Sequence, residues 1–278
     1  MVVFKALVVI CLVIALSGCA SWGAPRKYSH TSSVVQYLFP ASEQPPALTP
    51  GMAVLRPPVR VGIAFVPGKP GVGDLAEADR LALLEKVRAA FAGHEFVSTI
   101  EIIPGAYLRP GGGFANLDQA ARMFNFDVVA LMSYDQVQFN DASRLSVLYW
   151  TLIGAYLIEG DRYDIHTLLD LSVFDMKSRR LLLRAPGVSQ VKGAGTAVTF
   201  SENSRNARVE GYQKAVDVLI PNLQKELDRF PERVKAEGQF KVEPQAGYRG
   251  KGDAGIWLVL ALLLVGLGLR RVQSPERP

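Results

Sequence analysis

The interior of the chain alternates compact apolar runs with amphipathic stretches, in the order expected of an α/β fold. "VRVGIAFV", Val59 to Val66, has the length and content of a buried strand. From Leu75 to Ala92 the positions Leu81, Leu84, Val87, Arg88 and Phe91 recur at helical spacing, predicting one buried stripe with Arg88 at its margin. Asp74 and Glu77, three apart at its start, predict a capping box. Phe96 to Ile103 predicts a second strand and "PGAYLRPGGG" a loop. Leu117 to Phe124 then predicts a short helix capped by Asn116. "DVVALM", Asp127 to Met132, predicts a fully buried strand extending towards Phe139.

Period two takes over from Tyr163 to Val173. Tyr163, Ile165, Thr167, Leu169, Leu171 and Val173 fall on one face, with Asp164, His166, Asp170 and Ser172 opposite; Leu168 breaks the alternation. "DMKSRR" is a turn into Leu181 to Ala185, a hairpin partner. A long helical pattern follows through Val209, Tyr212, Val216, Leu219, Leu223, Leu227 and Phe230, with Pro221 inside it to kink or restart the helix. This order predicts an α/β fold, a single layered domain with a mixed sheet and flanking helices over residues 59–234. The "DVVALMSY" and "LLDLSVFDMKSRRLL" runs are similar to those of periplasmic domains in curli-secretion-type lipoproteins and penicillin-binding-protein activators.

The ends have a different character. Lys5 precedes an apolar run, Ala6 to Leu16, of signal-peptide rather than membrane-span length. It closes on Leu16-Ser17-Gly18-Cys19, which resembles the lipobox of bacterial lipoproteins. Small Ser17 and Gly18 give a peptidase access to the backbone, and the Cys19 thiol is a nucleophile able to accept a diacylglycerol. The resemblance implies removal of residues 1–18 by lipoprotein signal peptidase and acylation, palmitate among the chains, at Cys19. Two or more acyl chains anchor stably where one binds reversibly. Ala20 and Ser21 follow without the aspartate that retains such lipoproteins in the inner membrane, which implies the outer membrane. Cys11 falls in the removed segment, so no disulfide framework is expected. Residues 19–58, with Pro45-Pro46 and Pro57-Pro58, are expected to be a proline-rich tether, with Val34 to Phe39 docking on the core.

At the other end, residues 235–253 make a polar spacer and residues 254–278 an apolar tail. Ile256 to Leu269 gives 14 residues where a span needs about 20. Ile256, Leu260, Leu264 and Leu269 carry its apolar character, and Gly266 and Gly268 weaken it as a helix. Arg270 and Arg271 follow, placing the tail's end in the cytoplasm and the domain outside. This ensemble resembles the sorting tail recognised by rhombosortase, an intramembrane serine protease of the rhomboid family. With the lipobox, the whole chain resembles a rhombotarget lipoprotein. The likeness implies processing within Gly250, Gly252, Asp253, Ala254 and Gly255. The family's tail commonly carries an adjacent glycine pair, whereas this chain has Gly250-Lys251-Gly252. The inner membrane would hold the precursor and the outer membrane or cell surface the product. A permanent carboxy-terminal anchor on an assembly or secretion accessory with a protein partner is the alternative.

Charge and motifs add little chemistry. The net charge is +5, and loss of Lys5, Asp253, Glu276 and the arginines at 270, 271 and 277 leaves the mature domain at about +3, with no nucleic-acid footprint. "GKPGVGD", Gly68 to Asp74, sits between strand and helix but fits neither GxxxxGK[ST] nor GxGxxG, and reads as a capped turn. "RPGGGF", Arg109 to Phe114, reads as a flexible loop. His30, His94 and His166 are scattered, so no metal and no cofactor is expected. Asp161, Asp164 and Asp170 near His166 read as decoration of an exposed strand face, and no enzyme is expected. Ser146 to Gly160, with Tyr149, Trp150 and Tyr156, reads as a buried element, or else a surface for a membrane or partner.

Overall fold

The computed structural model describes residues 26–40, 53–68, 75–142, 156, 159–237, 240–243 and 245. Its elements are β1 (Arg26–Thr31), α1 (Val34–Leu38), β2 (Ala53–Leu55), β3 (Val59–Phe65), α2 (Glu77–Phe91) and β4 (Val97–Ile102). These are followed by α3 (Gly113–Phe124), β5 (Val128–Ala142), β6 (Asp161–Asp175), β7 (Leu181–Gly195), α4 (Phe200–Glu237) and β8 (Phe240–Val242). The architecture is α/β, with a mixed sheet in the order β4-β3-β5-β6-β7 and helices on both faces.

β5 organises the sheet. β6 pairs antiparallel with one of its edges along its whole length, Val128 to Ala142. The other edge is shared in series: β3 runs parallel to Val128–Met132, and β1 runs antiparallel to Asp135–Asn140. Ser32 bridges the join, donating its N–H to Tyr134 O at 2.8 Å and accepting the Tyr134 N–H on Oγ at 3.0 Å. Arg26 pairs with Asn140, so β1 enters at the far end of β5. β2 and β8 form a separate parallel pair, with Leu55 opposite Val242, just ahead of β3 at the near end.

Period two sorts the buried strand residues between two cores. Ile63, Phe65, Ala130 and Met132 face α2 and α4, while Ala64, Val66, Val129 and Leu131 face α1 and α3. α4 lays Tyr212, Val216, Leu219, Leu223 and Leu227 onto the sheet. It approaches β7 so closely that a Cβ on Gly187 would collide with the Ala215 carbonyl.

Several expectations are revised. The stretch read as tether contributes β1, α1 and β2; Tyr37 and Leu38 of α1 are buried, as the expected docking of Val34 to Phe39 requires. The stretch read as spacer contributes β8. β5 runs through Phe139 as expected and ends at Ala142, whereas β7 reaches Gly195, far past the predicted Ala185. α4 carries Pro221 and Pro231 inside one continuous helix, because its buried stripe is packed on either side of Pro221. Asp74 lies outside the described residues, and no capping box forms from Glu77: α2 is entered at Ala76 without a side-chain cap, and Glu77 Oε1 accepts the Gly105 N–H at 2.9 Å. Asn116 caps nothing, since α3 starts before it at Gly113.

Candidate functional site

At the foot of the sheet, where β3 and β5 begin and β6 ends, the layers part around an apolar cavity of about 290 Å³. Its floor is Val61, Val128 and Val173; Leu227, Phe230 and Val234 of α4 roof it, and Phe91, Phe96 and Val97 close one side. Leu55 and Val242, opposed in the β2–β8 pair, form part of its mouth. Among the described residues, none of its lining side chains is polar. Phe96 and Phe230, both on its lining, are in ring contact, with centroids 6.2 Å apart.

Leu55 and Val59 also line a second, polar cleft of about 530 Å³, together with Arg56, Asp127, Asp175, Lys177 and Gln245. Arg60 grips Asp127 with two parallel hydrogen bonds, Nη2 to Oδ1 at 2.8 Å and Nε to Oδ2 at 2.9 Å. Those bonds hold the Asp127 carboxyl below the usual carboxylate range, against the opposing effect of its partial burial. Asp175 Oδ2 accepts the Ser178 N–H at 2.6 Å. Arg56 reaches Glu243 at 3.3 Å, while Lys177 stands exposed on the turn after β6. Gln245 ties the chain after β8 to the wall, donating its backbone N–H to Pro57 O at 2.9 Å. Both acids of the described lining thus accept hydrogen bonds within the fold, Asp127 from a cation and Asp175 from neutral Ser178, and Arg56 and Lys177 are the lining's charged donors.

Elsewhere the predicted candidates are only partly brought together. Asp164 Oδ1 lies 3.2 Å from His166 Nε2 and accepts from Gln190 Nε2 at 2.9 Å, with Lys192 at 3.4 Å from Oδ2. Burial works to raise the Asp164 carboxyl, but the Gln190 bond and the His166 and Lys192 charges hold it below its ordinary value. Asp170 turns to Arg184 at 2.6 Å, away from that group. Asp161, at the start of β6, is raised by burial. The hydroxyls of Ser133 and Ser172 donate to Asp170, so neither is aligned with the His166 imidazole. Phe139, Leu168 and Val188 are exposed beside this network on the same sheet face.

The "RPGGGF" segment is not loose. Asn116 accepts the Arg109 N–H at 2.8 Å and donates to Tyr107 O at 3.1 Å, pinning the turn to α3. His94 stacks near Phe96 and His30 lies in β1; among the described residues no three of His, Cys, Asp and Glu gather in a metal-binding group.

Cys19 with Leu16, Ser17 and Gly18, the processing region Gly250 to Gly255 and the tail Ile256 to Arg271 lie outside the described residues. So do residues 69–74 of the turn expected at Gly68 to Asp74, and nearly all of Ser146 to Gly160. No helix among the described residues is long and apolar enough to cross a membrane. The cavity and cleft escaped prediction because their walls come from β2, β3, β5, β6, α4 and β8, with no local motif to mark them.

No family model and no curated protein matches the chain. Among solved structures it is similar to a neuraminyllactose-binding hemagglutinin homologue from Helicobacter pylori, at 12% identity and a TM-score of 0.39, over 68% of this chain and 96% of that one. A Xanthomonas campestris protein of the family DUF330 aligns at 10% identity and a TM-score of 0.31, over 68% and 93%. A PelC dodecamer from Paraburkholderia phytofirmans aligns at 14% identity and a TM-score of 0.27, over 74% and 96%.

Proposed function

We propose that the protein is a rhombotarget-type envelope lipoprotein, acylated on Cys19 and trimmed by rhombosortase within Gly250 to Gly255. Its α/β domain binds rather than catalyses. The observation that carries this reading is the pairing of Leu16-Ser17-Gly18-Cys19 with a weak apolar tail containing Gly266 and Gly268 and followed by Arg270 and Arg271. In sequence, both devices lie outside the described strands, which run from Arg26 to Val242. The inner membrane holds the precursor by its tail until cleavage, and the lipid then carries the product to the outer membrane or cell surface.

The binding role is supported by the apolar cavity at the foot of the sheet. The exposed Phe139, Leu168 and Val188 favour a second reading, an assembly accessory that binds an envelope protein on that sheet face and keeps its tail as an anchor. Intact mass of the protein from envelopes, with and without a functional rhombosortase, separates the two. A form beginning at acylated Cys19 and ending near Gly252 only when the protease is present supports sorting. A mass that still includes Arg271 and Pro278 in both strains overturns it in favour of the anchored accessory.

A further inference from the structure

We propose that the cavity at the foot of the sheet binds one linear acyl chain, whose acidic head lies in the adjoining cleft against Arg56 and Lys177. The walls admit little else. Among the described residues only Val, Leu, Phe and Pro side chains face inward and nearly all of the lining is apolar, so a polar occupant would exchange hydration for little compensation. Interiors are packed as densely as organic crystals, and an engineered apolar cavity of about 150 Å³ already takes up benzene. At roughly 30 Å³ per methylene, about one water's share of the liquid, 290 Å³ holds a chain of about ten carbons.

A route in exists. Val97 and Phe230 are only partly buried, and Val242 is 45% exposed at the mouth. The cleft supplies the other half of an amphiphile site. It shares Leu55 and Val59 with the chamber, so head and tail subsites stand end to end. Arg60 neutralises Asp127, while Asp175 accepts from Ser178 and keeps its charge. Among the described lining residues Arg56 and Lys177 are therefore the charged donors, and the ligand's head must lie on their side of the cleft, away from Asp175. Arg56 would exchange its exposed partner Glu243 for the carboxylate, at little cost for a pair open to water. This inference concerns the folded domain and does not depend on how the chain's ends are processed.

The test uses the full chain in nanodiscs of phosphatidylethanolamine and phosphatidylglycerol, irradiated with dodecanoic acid carrying a terminal diazirine, followed by peptide mapping. Labels are expected on the peptides holding Phe96–Val97 and Phe230–Val234. Unlabelled acids of six to sixteen carbons should compete with an affinity that climbs steeply to about ten carbons and then levels. Val97→Trp, which fills the chamber, and Val242→Trp, at its exposed mouth, should each lower labelling roughly tenfold, equivalent to about 1.4 kcal/mol. Lys177→Glu should weaken labelling by the acid but not by its methyl ester. Labels spread over the sheet face around Phe139 and Leu168, or unchanged labelling in both tryptophan variants, would overturn the site. Equal labelling by acid and ester would overturn the head-group assignment. Labelling of the same peptides by a diazirine phosphatidylglycerol, uncompeted by the free acid, would replace the single-chain acid with a membrane phospholipid.

Discussion

Tyr37 donates its hydroxyl to Asn116 Oδ1 at 3.3 Å, and the same oxygen accepts the Arg109 N–H at 2.8 Å. Through its amide, which donates to Tyr107 O, Asn116 therefore joins α1, the glycine turn and α3 at one buried point. Burial pushes the Tyr37 phenol far above its usual value in spite of the nearby Arg109 charge, so it remains a donor at any pH the fold survives. Asn116→Leu strips partners from three groups at once. It is expected to cost about 2–4 kcal/mol in urea unfolding, against about 1 kcal/mol for Tyr37→Phe. A loss below about 0.5 kcal/mol for the leucine variant would mean that water replaces the amide and the hub is dispensable.

Ser32 fills the single gap in the ladder along β5, between the pairing of β3 and that of β1. Ser32→Ala leaves the Tyr134 N–H unpaired in a buried position and should cost about 1–2 kcal/mol. Hydrogen exchange at Tyr134 is the direct readout. Protection that survives the substitution would show that the gap closes by another contact.

Gly187 lets α4 rest on β7. An added methyl meets the Ala215 carbonyl, and Leu219 backbone N at 2.9 Å, and neither is the movable end of a side chain. Gly187→Ala is expected to lower stability by about 2–3 kcal/mol through displacement of the helix, seen as a lower melting temperature. An unchanged melting temperature would contradict that close packing.

Arg60 depresses the Asp127 carboxyl, so the unfolded chain takes up that proton at a higher pH than the folded one. The pair's contribution is complete above the ordinary aspartate value of about 4 and fades as pH falls through the lowered folded value. With side chains 38% and 39% exposed, it should be worth about 1 kcal/mol or less. The drop in urea midpoint between pH 6 and pH 2.5 should be smaller in Asp127→Asn than in the unaltered chain. An identical drop would assign the acid sensitivity to other carboxylates.

Where burial imposed a period, the sequence could be read. β3, the first half of β5, β6 and α4 were legible because Val61, Ile63, Leu169, Leu171, Val216 and Leu223 had to repeat at the spacing of their element. β1 was not, since "RKYSHT" has no apolar alternation and is a strand only because β5 offers it an unpaired edge. The second half of β7 hid behind Pro186, Gly187, Gly193 and Gly195, which read as turn residues but are tolerated on an edge strand. Asn116 looked like a cap because that residue type caps well, and only the folded turn shows it buried. The cavity had no sequence signal at all, as Leu55 and Val242 become neighbours only through the β2–β8 pairing.

The series arrangement on β5 also decides how the domain would carry a load. The chain enters at Arg26, opposite Asn140, and leaves past Val242 at the other end of the sheet, roughly 40 Å away at about 3.4 Å per residue. Tension between those points runs along the strands, so the rungs joining β1 to β5 are sheared together instead of peeled one at a time. At that end the six-residue β1–β5 ladder resists as one block, whereas the three-residue β2–β8 pair at the exit is the weaker hold.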